Sequence, residues 1–282
     1  MPPVDSPLCF LFDNGSLRAE ATLSLRQAAA GLERKSGRPV QAVSLLHSSG
    51  VATDALGGRP ARLLEPALLD YFKTHPTGEA VLVPLFFGPS AALTEYVPER
   101  IRAIKVRFPQ AAIRLAPPLI DMDDRDDRRV ATILADQVRA VAKNLQWGRP
   151  KVILVDHGSP QPAVTAVRDH LATQLRDVLG AGISALMAAS MERRAGPAYD
   201  FNEPLLATAL RTPPFNTGEV IVALQFLSPG RHAGPDGDVT QICKAAQREN
   251  PGLLTAMTEP VASDLRLSAL LAERLEQASA LR

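Results

Sequence analysis

The sequence predicts an α/β protein made of two similar lobes, each with a four-stranded parallel sheet. Short apolar segments alternate with amphipathic segments along the chain, which is typical of parallel strands covered by helices. The order strand–helix is repeated four times in each half, with a period of about 140 residues. The first strand of each half also ends alike, in LFDNGS at residues 11–16 and in LVDHGS at residues 154–159. These observations together indicate an internal duplication.

Each half contains four apolar segments that we expect to form buried strands. Amphipathic helices should follow them, and the first of these ends at Gly37-Arg38-Pro39. A Glu-Pro pair precedes a helix in both halves, Glu65-Pro66 in the first and Glu203-Pro204 in the second. The expected strands cover residues 9–12, 40–46, 80–87 and 112–115, and then 152–155, 183–190, 220–227 and 253–257.

The linker Trp147-Gly148-Arg149-Pro150 separates the two copies. We therefore expect an N-terminal lobe over residues 1–147 and a C-terminal lobe over residues 148–282. The two lobes should superpose about a pseudo-twofold axis, with a cleft between them.

Composition excludes several classes of protein. The chain has 31 basic and 30 acidic residues, a net charge of +1, whereas a general nucleic-acid surface needs a basic excess. No apolar run approaches the ~18 residues of a membrane helix, and the N-terminus lacks the features of a signal peptide. Cys9 and Cys243 are far apart, which favours buried thiols in a reducing compartment. We expect a cytoplasmic protein that binds neither nucleic acid nor membrane.

The two copies differ at the ends of their strands, where ligands bind in parallel sheets. His157 follows the first strand of the second half, and Asn14 stands at the same place in the first half. After the third strand the second half carries Arg231-His232-Ala233, whereas the first half carries Ser90-Ala91-Ala92. A structural turn would not need histidine twice in one half and never at the matching places in the other. His157 and His232 are therefore the candidate functional pair.

Two imidazoles at one edge of a sheet suit a divalent transition metal such as cobalt, iron or nickel, and they also suit proton removal from an N–H acid. Glu192, after the second strand, is either a third ligand or base, or a solvated loop charge. Guanidinium groups bind carboxylates in a bidentate manner, so a basic rim predicts a polycarboxylate ligand. That rim would consist of Arg193, Arg194 and Arg231, although the first two also fit an exposed loop without a ligand.

The strand that ends in His157-Gly158-Ser159 resembles the sirohydrochlorin chelatases, and so does the run Ser228-Pro229-Gly230-Arg231-His232 with the Gly-rich, Asp-containing turn after it. These class II chelatases insert Co(II) or Fe(II) into sirohydrochlorin, for cobalamin or sirohaem. Some are dimers of single lobes, and others are double-length chains of two fused flavodoxin-like lobes. The chain resembles the double-length form over nearly its whole length.

The resemblance implies that His157 and His232 bind the incoming metal and that Glu192 acts with them in catalysis. The metal would be a substrate, namely Co2+, Fe2+ or Ni2+, and no organic cofactor is expected. The partner would be a tetrapyrrole with many carboxylates, and the protein would be a monomer of two pseudo-symmetric lobes or a homodimer. The residues expected to contact the tetrapyrrole are Ser159, Arg193, Arg194 and Arg231.

One feature departs from the family pattern, because fused members often keep their histidines in the N-terminal lobe. Here Asp13-Asn14-Gly15-Ser16 resembles a degenerate copy of the histidine turn. We interpret His47 as a loop or capping residue and not as a remote third ligand.

Two other functions remain open from the sequence. The same histidines could store or deliver a metal, or bind a finished tetrapyrrole, without catalysis. A nucleotide-binding protein is less consistent with the chain, since no G-x-G-x-x-G or Walker pattern follows any expected strand. Turnover distinguishes a chelatase from a protein that only binds its ligand.

Overall fold

The structure is a computed structural model that describes residues 7–280 and divides into two compact units. The first unit contains the chain up to Asp121 together with the segment from Leu265, and the second unit runs from Met122 to Asp264. Within the described part of the chain, the helices are too short or too polar to span a bilayer.

The first unit is a parallel four-stranded sheet with the strand order β2-β1-β3-β4. Its apolar strands are buried on both sides, as expected for a parallel sheet between two layers of helices. Its strands are β1 (Leu8–Asp13), β2 (Val40–Ser44), β3 (Glu79–Pro84) and β4 (Ala112–Leu115), and its helices are α1 (Ala19–Ser36), α2 (Leu64–Thr74), α3 (Val97–Arg107) and α8 (Leu267–Ala280).

The second unit repeats this arrangement with the parallel order β6-β5-β7-β8. The chain passes from β5 to β6 on one side and then returns to β7 on the other, so the topological switch point lies between β5 and β7. Its strands are β5 (Lys151–Asp156), β6 (Ala185–Ser190), β7 (Gly218–Leu224) and β8 (Leu253–Met257), and its helices are α4 (Arg129–Leu145), α5 (Pro162–Leu179), α6 (Leu206–Ala209) and α7 (Asp238–Glu249).

The buried core of the second unit fixes the positions of β5 and β7. Val152, Ile153, Leu154 and Val155 of β5 are all fully buried, as are the central residues of β7. Each side chain of this size stabilises the fold by about 1.5–3 kcal/mol when it is removed from water. The loops that follow β5 and β7 therefore start from rigid positions.

The compact units differ from the two sequence copies in the placement of one helix of each copy. Helix α4 belongs to the first sequence copy but packs in the second unit, where it contacts α5 and β7. Helix α8 belongs to the second copy but packs in the first unit, against α1 and β3. The expected division at residues 147 and 148 describes the sequence repeat and stays a prediction about it. The units themselves are bounded after Asp121 and after Asp264.

The structure also corrects the correspondence between the two Glu-Pro pairs. Leu63 bridges to Ser44 at the end of β2, and Leu205 bridges to Ser190 at the end of β6. Leu63 and Leu205 are therefore equivalent, and the two Glu-Pro pairs are out of register by four residues. Glu65-Pro66 lies in the first turn of the 11-residue helix α2, whereas Glu203-Pro204 precedes the four-residue helix α6.

Candidate metal site at the ends of β5 and β7

The His157 turn, residues 156–159, connects β5 to the segment before α5. Gly158 has a φ of +90°, which favours glycine, and a Cβ atom there would lie 1.9 Å from the carbonyl oxygen of Glu192. The backbone N–H of Glu192 donates to the carbonyl of His157 at 3.2 Å. This close approach places the Nε2 atom of His157 3.5 Å from Oε1 of Glu192.

His232 reaches the same place from the loop after β7. Its ring centroid lies 4.7 Å from that of His157, with the two rings nearly perpendicular at 76°. The structure therefore brings together all three residues that the sequence nominated for metal chemistry. Both histidines flank the switch point between β5 and β7, where open parallel sheets bind their ligands.

Hydrogen bonds at Nδ1 orient both imidazoles. The Nδ1 atom of His232 lies 2.6 Å from Oδ2 of Asp238, which is the first residue of α7. The Nδ1 atom of His157 lies 3.0 Å from the carbonyl oxygen of Gly158. Since both partners are acceptors, we assign the proton to Nδ1 in each ring, which leaves the Nε2 lone pairs free for a metal.

The spacing between His157 and Glu192 suits shared ligation. Two ligand atoms at about 2.0–2.2 Å from one tetrahedral metal lie about 3.3–3.6 Å apart, and the observed separation is 3.5 Å. Nevertheless, residues 7–280 contain no group of three or more His, Cys, Asp or Glu side chains arranged to hold a metal ion.

A buried carboxylate supports the turn from below. Asp156 is 5% exposed, and its Oδ1 atom accepts hydrogen bonds from the Ser190 hydroxyl at 2.6 Å and from the Gly158 N–H at 3.1 Å. Burial raises the pKa of Asp156, while the hydrogen bond from Ser190 and the charge of Arg168 act in the opposite direction. These contacts connect the end of β5 with the end of β6.

The arginines of the expected basic rim are in different situations. Arg231 has a side chain that is 74% exposed, and its Nε atom lies 3.6 Å from Asp238. Arg193 donates to Glu203 at 2.6 Å and lies 3.2 Å from Asp200, so most of its hydrogen-bonding capacity is used within the protein. The guanidinium group of Arg194 stacks 5.9 Å from the ring of Tyr199.

Ser159, the remaining residue expected to contact a ligand, contributes to local structure. Its hydroxyl accepts a hydrogen bond from the N–H of Gln161, just before α5 begins. Its backbone N–H donates to the side chain of Asn202. The hydroxyl thus accepts one hydrogen bond within the loop.

The first unit builds the same turn without these ligands. Gly15 also has a φ of +90°, and a Cβ atom there would lie 1.7 Å from the carbonyl oxygen of Leu46. Asn14 occupies the place of His157, Leu46 that of Glu192, and the strand register puts Ala92 at the place of His232. His47 has a φ of +64° and precedes a short 3-10 turn, as expected for a loop residue.

Sequence reasoning missed two polar residues that support the site. Asp238 could have been found because it lies in the Gly-rich, Asp-containing turn after His232. Arg168 was harder to find. Its sequence signal is a charged residue on the apolar face of α5, between Thr165 and Leu171.

Fold and site define a class, namely an α/β protein with a pair of adjacent histidines at the switch point of a parallel sheet. Residues 151–278, which include both histidines, match the model of the CbiX family. The resemblance to the sirohydrochlorin chelatases is thereby confirmed.

Two solved structures share the fold over almost the entire chain. SirB from Bacillus subtilis with Fe3+ has a TM-score of 0.68 and 16% sequence identity, covering 98% of this chain and 96% of that one. The sirohydrochlorin chelatase SirB from Bacillus subtilis subspecies spizizenii in complex with cobalt has the same TM-score and identity, covering 98% and 97%. No curated protein matches the chain significantly.

Proposed function

We propose that this protein inserts a divalent metal, Co2+ or Fe2+, into sirohydrochlorin or a related polycarboxylate tetrapyrrole. The observation that carries the proposal is the pair His157 and His232, whose rings lie 4.7 Å apart with Glu192 beside them. The match of residues 151–278 to the model of the CbiX family supports it. Further support comes from the SirB structures, which hold iron or cobalt on the same fold.

In this proposal the imidazole Nε2 atoms of His157 and His232 hold the incoming metal, and the carboxylate of Glu192 completes the ligand set. Insertion of M2+ into a free-base tetrapyrrole releases two pyrrole protons. Glu192 and the imidazoles can accept them as the metal leaves for the pyrrole nitrogens. Asp238 keeps the ring of His232 in the orientation that this exchange requires.

Substrate recognition is assigned mainly to Arg231. Its guanidinium group is largely exposed and lies 3.6 Å from the carboxylate of Asp238, so it can also pair with a substrate carboxylate. Arg194 can do so while it stays on Tyr199. Arg193 contributes less, because Glu203 and Asp200 already neutralise it. The product would serve cobalamin or sirohaem synthesis according to the metal.

The alternative is a protein that binds a metal or a tetrapyrrole without catalysis. It is favoured by one observation, the absence of a preassembled group of three metal-binding side chains among residues 7–280. Purified protein should be mixed with sirohydrochlorin and, separately, with Co2+, Fe2+ or Ni2+, and the absorbance change followed. The proposal expects many turnovers per protein with one of these metals. Stoichiometric binding without turnover would favour the alternative.

A further inference from the structure

A buried arginine distinguishes the second unit from the first, besides the histidines. Arg168 follows Asp156 by twelve residues, as Leu25 follows Asp13 in the other copy. Both side chains are almost completely buried, at 2% exposure for Arg168 and 1% for Leu25. A buried cation is expensive unless charges and hydrogen bonds compensate it, so its presence in α5 requires an explanation.

The first set of contacts of Arg168 reaches the carboxylate under the His157 turn. Its Nη1 atom donates to the Ser190 hydroxyl at 2.6 Å, and that hydroxyl donates to Oδ1 of Asp156 at 2.6 Å. The same Nη1 atom lies 3.9 Å from Oδ1 of Asp156. Because this oxygen also accepts the N–H of Gly158, Arg168 is linked to the turn through two buried side chains.

The second set of contacts reaches the other end of the turn. Arg168 Nη1 donates at 3.0 Å to the carbonyl of Asn202, a residue with no exposed surface. The side-chain amide of Asn202 accepts from the N–H of Ser159 and donates to its carbonyl, both at 2.9 Å. Arg168, Ser190 and Asn202 therefore form a clamp that holds the His157 turn at Asp156 and at Ser159.

The first unit shows that the turn does not need this clamp in order to form. There Gly15 has the same φ of +90°, Asp13 is paired with Ser44, and Leu25 replaces the arginine. The same backbone turn thus folds without a buried cation. The clamp is present where the turn carries His157, which indicates a role beyond folding.

We propose that Arg168 is a positioning residue that fixes the His157 turn so that His157 and His232 can bind one metal ion together. This inference rests on the metal binding assumed in the proposed function, but not on turnover. Arg168 touches neither imidazole. It acts through Asp156 and Asn202. Because the turn is already ordered, metal binding does not have to supply the free energy of ordering it.

The test compares the wild-type protein with two variants. Arg168→Leu introduces the side chain found at the matching position of the first unit, Leu25, and Arg168→Lys retains the charge. Arg274→Leu is the matched control, since Arg274 is also 2% exposed and donates to a backbone carbonyl, that of Leu119 in the first unit. The readouts are the Co2+ dissociation constant, the visible spectrum of bound Co2+, thermal stability, and amide hydrogen exchange of residues 156–159 without metal.

We expect Arg168→Leu to weaken Co2+ binding by about 10–100-fold, as is usual when support of a ligand is removed. Its Co2+ spectrum should change, and the amides of the turn should exchange faster. Arg168→Lys should recover part of the affinity. Arg274→Leu should lose thermal stability while its Co2+ affinity stays within about twofold of wild type.

Where Arg168→Leu leaves Asp156 without its cation and the protein fails to fold, the double variant Arg168→Leu/Asp156→Asn takes its place, with the same expectation. Unchanged Co2+ affinity and spectrum in a folded variant would overturn the inference. An equal loss of affinity in Arg274→Leu would overturn it as well. Wild type that binds Co2+ but inserts none would refute the proposed function alone, and a wild type that binds no Co2+ would refute both.

Discussion

Gly158→Ala tests whether the contact between the His157 turn and the Glu192 backbone controls metal binding. The new Cβ atom would lie 1.9 Å from the Glu192 carbonyl oxygen and 3.3 Å from Cβ of Ser190. The φ of +90° adds strain of about 1–3 kcal/mol, and the overpacking adds about 1–3 kcal/mol. The expected destabilisation is therefore about 2–6 kcal/mol, and the strands should move apart at this end.

Gly15→Ala is the control, because its φ is identical and its Cβ atom would lie 1.7 Å from the Leu46 carbonyl oxygen. Both variants should lose similar thermal stability by circular dichroism. A displacement near 1 Å at a site can cost about 100-fold in activity, so Gly158→Ala alone should weaken Co2+ binding, by about tenfold or more in calorimetry. Wild-type affinity in a folded Gly158→Ala protein, or an equal loss in Gly15→Ala, would refute this reasoning.

Three further substitutions test the buried Asp13 carboxylate, the partner of His232 and the turn of the first unit. Burial raises the pKa of Asp13 from 3.8 to about 6, so its protonated form stabilises the fold at low pH and that stability is lost as pH rises through 6. Asp13→Asn should therefore gain up to about 3 kcal/mol over wild type near pH 7.5 and little near pH 4, measured by urea unfolding; a gain that does not depend on pH would contradict this. Asp238→Asn removes the charged partner of His232 and should weaken Co2+ binding by about 10–100-fold in calorimetry. Unchanged affinity would show that Asp238 does not support metal binding. Asn14→Ala should change thermal stability more than chelatase rate, and a large loss of turnover in a folded variant would show that the first unit takes part.

The duplication and the parallel sheets could be predicted because hydrophobic periodicity and strand-end loops are local signals. Strand starts were mostly placed within two residues, while β3 and β7 end three residues earlier than expected, at Pro84 and Leu224. Apolar residues continue beyond the last ladder hydrogen bonds in both strands, so the pattern alone does not mark the end.

The places of α4 and α8 could not be predicted from local patterns. Both helices are amphipathic, and an apolar face does not specify which of two similar sheets it covers. The register of the Glu-Pro pairs was wrong for a related reason, since a short motif repeats by chance and the strand bridges at Leu63 and Leu205 define the true correspondence.

At the candidate site, the sequence nominated His157, His232 and Glu192 by comparing the two copies, and the structure brings them together. It could not show that Arg193 is engaged by Glu203, because that contact joins residues across a loop of unknown shape. The same comparison of copies, extended from the loops to the helices, would have found Arg168 opposite Leu25.

Whether a metal binds to His157 and His232 can be decided by measuring the Co2+ affinity of wild type, His157→Ala and His232→Ala at about pH 8 and about pH 5.5. Imidazole binds a metal only in its neutral form, so wild-type affinity should fall on acidification. Each substitution should weaken binding sharply at the higher pH and leave the far-ultraviolet circular dichroism unchanged, because both residues lie in loops. Wild-type affinity in both folded variants would contradict a metal site at the ends of β5 and β7.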